Sequence, residues 1–255
     1  MEASSIQSVA RDLRLATRSG APVSTLGTES LDLQLAAIIA AHGREIAEAE
    51  GDRVVGYKIG LTAAAVRDSF NADGPVQGYL LESTLIEAGG SISTEAMRNP
   101  AVEAEVAFII GEPLNNPEAT VEDVIAATKA VAPAIEIVDS RWTGGPSNLP
   151  LLVADNTNAA AAVVGEPVEL PADIAAATSL LTVGTSEHPG STETVMGNPL
   201  ESVAWLARYL AQTADGLKPG DVILSGSMNV PAPLGDSTTA TAAITGVGSV
   251  SANFH

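Results

Sequence analysis

Two glutamates one residue apart, Glu103 and Glu105, stand in the run Ala101 to Ile110, Ala-Val-Glu-Ala-Glu-Val-Ala-Phe-Ile-Ile. Read as a strand, it turns Val102, Ala104, Val106, Phe108 and Ile110 to one face. Both carboxylates then go to the other face, flanked by Ala101 and Ala107. Two carboxylates side by side in a half-buried place repel each other unless a cation sits between them. A hard divalent ion such as Mg²⁺ or Mn²⁺ suits carboxylate oxygens. The same spacing also occurs on a plain solvated strand face. Glu136, between two isoleucines in the run Ala134 to Arg141, is a further carboxylate. If its strand shares a sheet with Glu103 and Glu105, it supplies a third oxygen ligand. Lys58 lies in the strand-like run Val54 to Leu61, on the face that also carries Gly56 and Gly60. Bare neighbours leave room for a small molecule beside the amine, although a surface lysine on an edge strand fits the pattern equally.

Other chemistries are poorly supplied. The chain has no cysteine among its 255 residues, which removes disulfides, thiol catalysis and cysteine-ligated zinc. His42, His188 and His255 are scattered without metal spacing, and no glycine pattern fits a phosphate loop. A net charge of −19 argues against nucleic acid or an anionic membrane as partner. No signal peptide is expected from Met1 to Ser5 and no run is long enough to span a bilayer, so a cytoplasmic protein is expected.

The elements that must hold these residues follow from periodicity. Ser5 is placed to cap a first helix and Ser30 a second, giving an N-terminal helical part over residues 1–52. From 53 to 255 the pattern is mostly β. Glu82 is expected within a strand from Gly78 to Leu85, and Thr62 at the cap of a short helix. A helix opened by Thr120 to Asp123 is expected to end at Pro133. Leu151 to Gly165 and Ile174 to Gly184 look strand-like, and Asn198-Pro199-Leu200-Glu201 is a strong helix start. With only 3% aromatic residues beside 45% hydrophobic ones, small side chains must carry much of the packing.

The blocks Gly56 to Thr62, Val102 to Phe108, Pro133 to Arg141 and Val153 to Asn156 occur in that order. Asn198-Pro199-Leu200, Pro219 to Gly226 and Gly246 to Val250 follow them. Together they resemble the 2-keto-4-pentenoate hydratase / 4-oxalocrotonate decarboxylase family of the fumarylacetoacetate hydrolase superfamily, over nearly the whole chain. The resemblance implies an α+β fold: a mixed, rolled β-sheet flanked by helices, with an N-terminal helical part. It implies Mg²⁺ or Mn²⁺ held by Glu103, Glu105 and Glu136, with Lys58 as the active-site lysine. Glu82 falls where relatives often carry an acidic residue, and is expected to act as a base toward water.

The implied reaction is addition of water to a 2-hydroxy-2,4-dienoate of aromatic meta-cleavage catabolism, giving a 4-hydroxy-2-oxo acid. Decarboxylation of a 2-oxo dioate of the 4-oxalocrotonate type is the alternative. A structural partner subunit of a hydratase–decarboxylase complex is a third reading, against which the retained carboxylates and Lys58 speak. A homo-oligomer is expected, with a related pathway enzyme as a further partner. Asp155, in the Ala-Asp-Asn block, is expected to contact substrate. So are Asn158, where many relatives have serine, and Ser227, in a Ser-Met-Asn segment replacing the more usual Ala-Leu-Gly.

Overall fold

Chain order gives six helices and thirteen strands among the described residues, which are 3–214 and 216–255 of a computed structural model. Met1, Glu2 and Asp215 lie outside them, so the first two residues of the stretch read for a leader are not described. The helices are α1 (Ala3–Ser19), α2 (Leu33–Ala49), α3 (Ala64–Phe70), α4 (Val121–Ala127), α5 (Leu149–Ala154) and α6 (Pro199–Thr213). The larger sheet is built from β1 (Val54–Gly60), β2 (Val76–Leu81), β3 (Leu85–Glu87), β5 (Ala101–Ile110), β6 (Thr128–Val138), β7 (Ala159–Val164), β10 (Val222–Leu224) and β11 (Ala232–Pro233). The smaller contains β4 (Ser91–Ile92), β8 (Thr178–Val183), β9 (Ser186–Ser191), β12 (Thr239–Ile244) and β13 (Gly248–Phe254).

Strand order in the larger sheet is β2-β1-β10-β5-β6-β7-β3, with β11 on β5; in the smaller it is β4-β13-β12-β8-β9. β1 runs parallel to β10 and antiparallel to β2, so the sheet is mixed. It rolls until β2 meets β7 and the turn before it. There the Asn156 amide donates to Tyr79 O (2.9 Å) and accepts from Tyr79 N (2.8 Å), as a neighbouring strand would.

The two faces of β5 explain its sequence. Val102, Ala104, Val106, Phe108 and Ile110 are buried on the outer face of the roll. Val102 and Ala104, with Ile135, Ile137 and Val163, pack on Leu181, Ala242, Val250 and Phe254 of the smaller sheet. Val106, Phe108 and Ile110 pack instead on Leu200, Val203, Leu206 and Leu210 of α6. The inner face is lined by Ala107, Ala132, Ala134 and Ala162 with Leu80 and Leu224. A sheet curled this tightly has space only for small side chains inside, which is where the alanine-rich, aromatic-poor composition is used. α1 and α2 pack on each other and, through Ile6, Leu13, Ala36 and Ile39, on Trp142, Leu151 and Ala154.

Several local expectations are corrected. α1 already begins at Ala3, so Ser5 lies inside it; Asp32, not Ser30, caps α2 by accepting from Leu35 N. Ala63 rather than Thr62 precedes α3. The segment from Leu151 opens as helix α5 and a short 3-10 turn, becoming strand only at Ala159. Residues 174–176 are likewise a 3-10 turn before β8. β2 stops at Leu81, so Glu82 starts a 3-10 turn rather than riding on a strand. α4 ends at Ala127, and Pro133 lies inside β6. Proline is tolerated there because the opposite residue, Val106, gives its carbonyl to Ser225 N on the β10 side (3.1 Å). Pro133 itself faces Gly165 beyond the end of β7, where no ladder bond from its nitrogen is needed. Among the described residues no helix is long and apolar enough to cross a membrane.

Candidate metal centre

β5 and β6 pair so that Glu103 stands directly opposite Glu136, with Glu105 two residues further along the same face. The register follows from the apolar pattern, since a slip of one residue would turn the buried outer face inward. The three carboxylates present oxygens within 4.8 Å of one another. They are 8%, 1% and 0% exposed, so the solvated-face reading does not apply. Lys58 is also buried and reaches across the roll from β1. Its Nζ lies 3.2 Å from Glu136 Oε1 and donates to Thr157 O at 3.2 Å. Gly60 is bare beside it: a Cβ there would stand 3.7 Å from Nζ. The edge-strand reading of this lysine therefore fails.

One ammonium faces three carboxylates. Burial pushes Glu103 up to about 7, reinforced by Glu136 and opposed by Lys58 and a hydrogen bond from Ser227. Burial also drives Glu105 well above the carboxylate range, with Glu136 and Glu103 adding to it. Glu136 is raised by burial too, against the pull of Lys58. For Lys58 burial disfavours the charge, but Glu136, Glu103 and Glu105 together outweigh it and raise its pKa. By themselves the carboxylates resist full ionisation near neutral pH. Neither Glu136 oxygen has a well-directed hydrogen-bond donor among the described residues. A converging, oxygen-only, electron-rich and unsatisfied set fits a hard dication.

Neighbouring backbone completes the wall. Gly226 N donates to Glu105 Oε2 at 2.7 Å. Its φ is +118°, and a Cβ would fall within 2.5 Å of Thr62, so only glycine brings this N–H to the carboxylate. Asn229 Oδ1 accepts from Ala104 N (2.9 Å), pinning β5 between the two glutamates.

The other expected site residues divide. Ser227 belongs to the centre, its hydroxyl within reach of Glu103 and 2.5 Å from Asn229 O. Asn158 closes the turn that meets Lys58, and its Oδ1 is buried without a partner among the described residues. Asp155 is 1% exposed with both oxygens committed: Oδ1 accepts from Arg141 Nε (2.5 Å), and Oδ2 from Arg141 N and Ser140 Oγ. Glu82 is not brought to the carboxylates. It is exposed, ion-paired with Arg53, and held below the usual carboxylate range by that guanidinium. Sequence reasoning missed Thr157, Gly226 and Asn229. Gly226, two residues after the short strand β10, and Asn229 left a trace only as members of the segments Pro219 to Gly226 and Ser-Met-Asn.

The chain is similar to several known proteins. A 2-hydroxyhexa-2,4-dienoate hydratase of Comamonas testosteroni is 39% identical over 205 residues, 78% of each chain. A 2-keto-4-pentenoate hydratase of Burkholderia vietnamiensis (strain G4 / LMG 22486) is 35% identical over 255 residues, covering 98% of this chain and 97% of the relative. A 4-oxalocrotonate decarboxylase of Pseudomonas sp. (strain CF600) is 32% identical over 210 residues, 81% of this chain and 80% of the relative. Among solved structures, 4-oxalocrotonate decarboxylase from Pseudomonas putida G7, complexed with magnesium and adipate, superposes with a TM-score of 0.94. It is 26% identical and covers 100% of this chain and 99% of that one. Residues 63–255 match the fumarylacetoacetate (FAA) hydrolase C-terminal family, and the chain belongs to that family.

Proposed function

We propose that this chain is a metal-dependent hydro-lyase that adds water to a 2-hydroxy-2,4-dienoate, such as 2-hydroxypenta-2,4-dienoate, to give a 4-hydroxy-2-oxo acid. The observation that carries the reading is the buried convergence of Glu103, Glu105 and Glu136 around Lys58, in a chain resembling dienoate hydratases at 34–39% identity. Glu103, Glu105 and Glu136 would hold a divalent cation, Mg²⁺ or Mn²⁺. Bound there, it would supply Lewis-acid polarisation of a 2-oxo carboxylate.

Lys58 then handles the proton. Its ammonium donates to Thr157 O and lies 3.2 Å from Glu136 Oε1, and a remaining N–H would meet a substrate oxygen. Its raised pKa suits the ammonium, a donor that stabilises developing enolate charge and can pass a proton to it. Ser227 lies beside Glu103, and Asn158 is the last residue of the turn that meets Lys58. The interior beside the carboxylates is lined by small side chains, Ala107, Ala132, Ala134 and Ala162. Asp155 and Glu82 receive no chemical part in this reading, because Arg141 and Arg53 already hold their carboxylates. We place the enzyme in aromatic meta-cleavage catabolism, in the cytoplasm, as a homo-oligomer.

Decarboxylation of a 2-oxo dioate is the second reading, favoured by the 0.94 superposition on the decarboxylase. Turnover in ¹⁸O-water separates the two. A hydratase places the label at C4 of the product from a monocarboxylate dienoate. Stoichiometric CO₂ from oxalocrotonate, with no hydration of the dienoate, would establish the decarboxylase instead.

A further inference from the structure

The turn Asn156-Thr157-Asn158 has three successive non-glycine residues in the left-handed region, with φ of 47°, 51° and 61°. Asparagine tolerates this conformation, but a β-branched threonine does not adopt it without external constraint. The constraint is visible at both ends. Arg141 donates to Asp155 O before the turn and to Ala159 O after it. In the middle, the Asn156 amide grips both backbone groups of Tyr79. The turn presses on β2 at Gly78, where a Cβ would lie 2.5 Å from Thr157 Oγ1 and 2.7 Å from Asn156 O. Gly78 is the residue paired with Lys58. What this arrangement delivers is the Thr157 carbonyl, 3.2 Å from Lys58 Nζ.

We propose that Asn156-Thr157-Asn158 is a positioning device for Lys58, anchored by the Asn156 side chain and acting through the Thr157 carbonyl. Strained backbone persists where surrounding structure over-determines it, and here the strain aims one acceptor at one ammonium. Glu136 alone would let the long lysine side chain swing about a single partner. The second acceptor, approaching from another element, fixes the direction in which the remaining N–H points. The proposal rests on Lys58 being the proton-handling group, so its test includes a readout independent of turnover.

Lys58, Lys129 and Lys218 are the only lysines of the chain. A ¹⁵N-lysine spectrum of the Mg²⁺-saturated protein therefore contains few signals, and Lys58→Met identifies that of Lys58. A buried, doubly held ammonium should exchange its protons slowly. In Asn156→Ala the slow exchange should be lost. There kcat should fall by on the order of tenfold, the scale of one lost hydrogen bond, with KM and Mn²⁺ affinity unchanged. Thr157→Gly keeps the carbonyl and accepts the positive φ, so the slow exchange of the Lys58 signal should survive. Should Asn156→Ala not fold, Asn156→Asp retains the acceptor for Tyr79 N and loses only the donor; weakened protection is expected. An unchanged Lys58 signal in folded Asn156→Ala or in Asn156→Asp, or its loss in Thr157→Gly, would overturn the proposal. A wild-type protein with the protected signal, sensitive to Asn156→Ala yet inert toward every dienoate, would remove the functional reading and leave the positioning intact.

Discussion

Two buried ion pairs lie near each other in this protein and behave oppositely. Arg141 and Asp155 are closed upon themselves: the carboxylate accepts from Arg141 Nε, Arg141 N and Ser140 Oγ. The guanidinium spends its remaining bonds on Asp139 O, Ala159 O and Asp155 O. Burial raises the Asp155 pKa, and Arg141 opposes that rise without cancelling it. Lys58 and Glu136 are left open. Two further carboxylates crowd them, Glu136 lacks well-directed donors, and the ammonium keeps a free direction. A satisfied pair holds structure; an unsatisfied one is where a ligand completes the arrangement.

The comparison can be broken at several points. The largest effect is expected from Lys58→Met, which keeps the aliphatic length and removes the charge. Turnover should fall by roughly 10²–10⁴, the scale of a lost acid–base group, while stability in Mg²⁺ and Mn²⁺ binding persist. Activity within a few-fold of wild type would return Lys58 to a structural role. Asp155→Asn should do the reverse. It strands Arg141 among buried carbonyls, and urea unfolding should show a loss of about 3–5 kcal/mol, as for other broken buried pairs. Wild-type stability there would mean that the closed pair is not closed.

A smaller effect separates the pairs by pH. Between the ordinary 4.5 and about 7, folded Glu103 retains a proton that the unfolded chain has released. Metal-free protein should therefore lose stability as pH rises through that window. Glu103→Gln should flatten the slope, and Mg²⁺ should abolish it by favouring the ionised ligands. A slope unaffected by either would place the titration elsewhere. Smallest of all is Glu82→Gln: with this carboxylate exposed and held by Arg53, turnover and Tm should stay where they were. A collapse of activity would restore Glu82 as the base toward water.

The open site was largely legible in the sequence, and the closed one was not. Alternation along β5 places Glu103 and Glu105 on one face from local sequence alone, and the apolar pattern of β6 does the same for Glu136. Gly60 beside Lys58 left a similar local trace, whereas Gly56 does not open space at the amine, since a Cβ there would stand 1.9 Å from Val222 O of β10. The role of Asp155 depends on Arg141, fourteen residues away, folding back across a helix and a turn. Nothing in Ala154-Asp155-Asn156 announces that partner, and a buried acid in a matching block reads naturally as a substrate contact. Glu82 failed for another reason: β2 ends at Leu81, four residues before the expected end at Leu85, so the side chain leaves the sheet at the 3-10 turn. The strain at Thr157 was hidden because the constraints on it come from Arg141, Tyr79 and Gly78, none of them adjacent in sequence.

The central claim is that Glu103, Glu105 and Glu136 form a single site for a divalent cation, and calorimetric titration with Mn²⁺ tests it most directly. Glu105→Gln removes one charged ligand with almost no change of shape, and the outer face of β5 keeps the fold. Wild-type protein should bind one equivalent of Mn²⁺, and the folded variant should lose that binding together with turnover. Unchanged Mn²⁺ affinity in folded Glu105→Gln would contradict the claim.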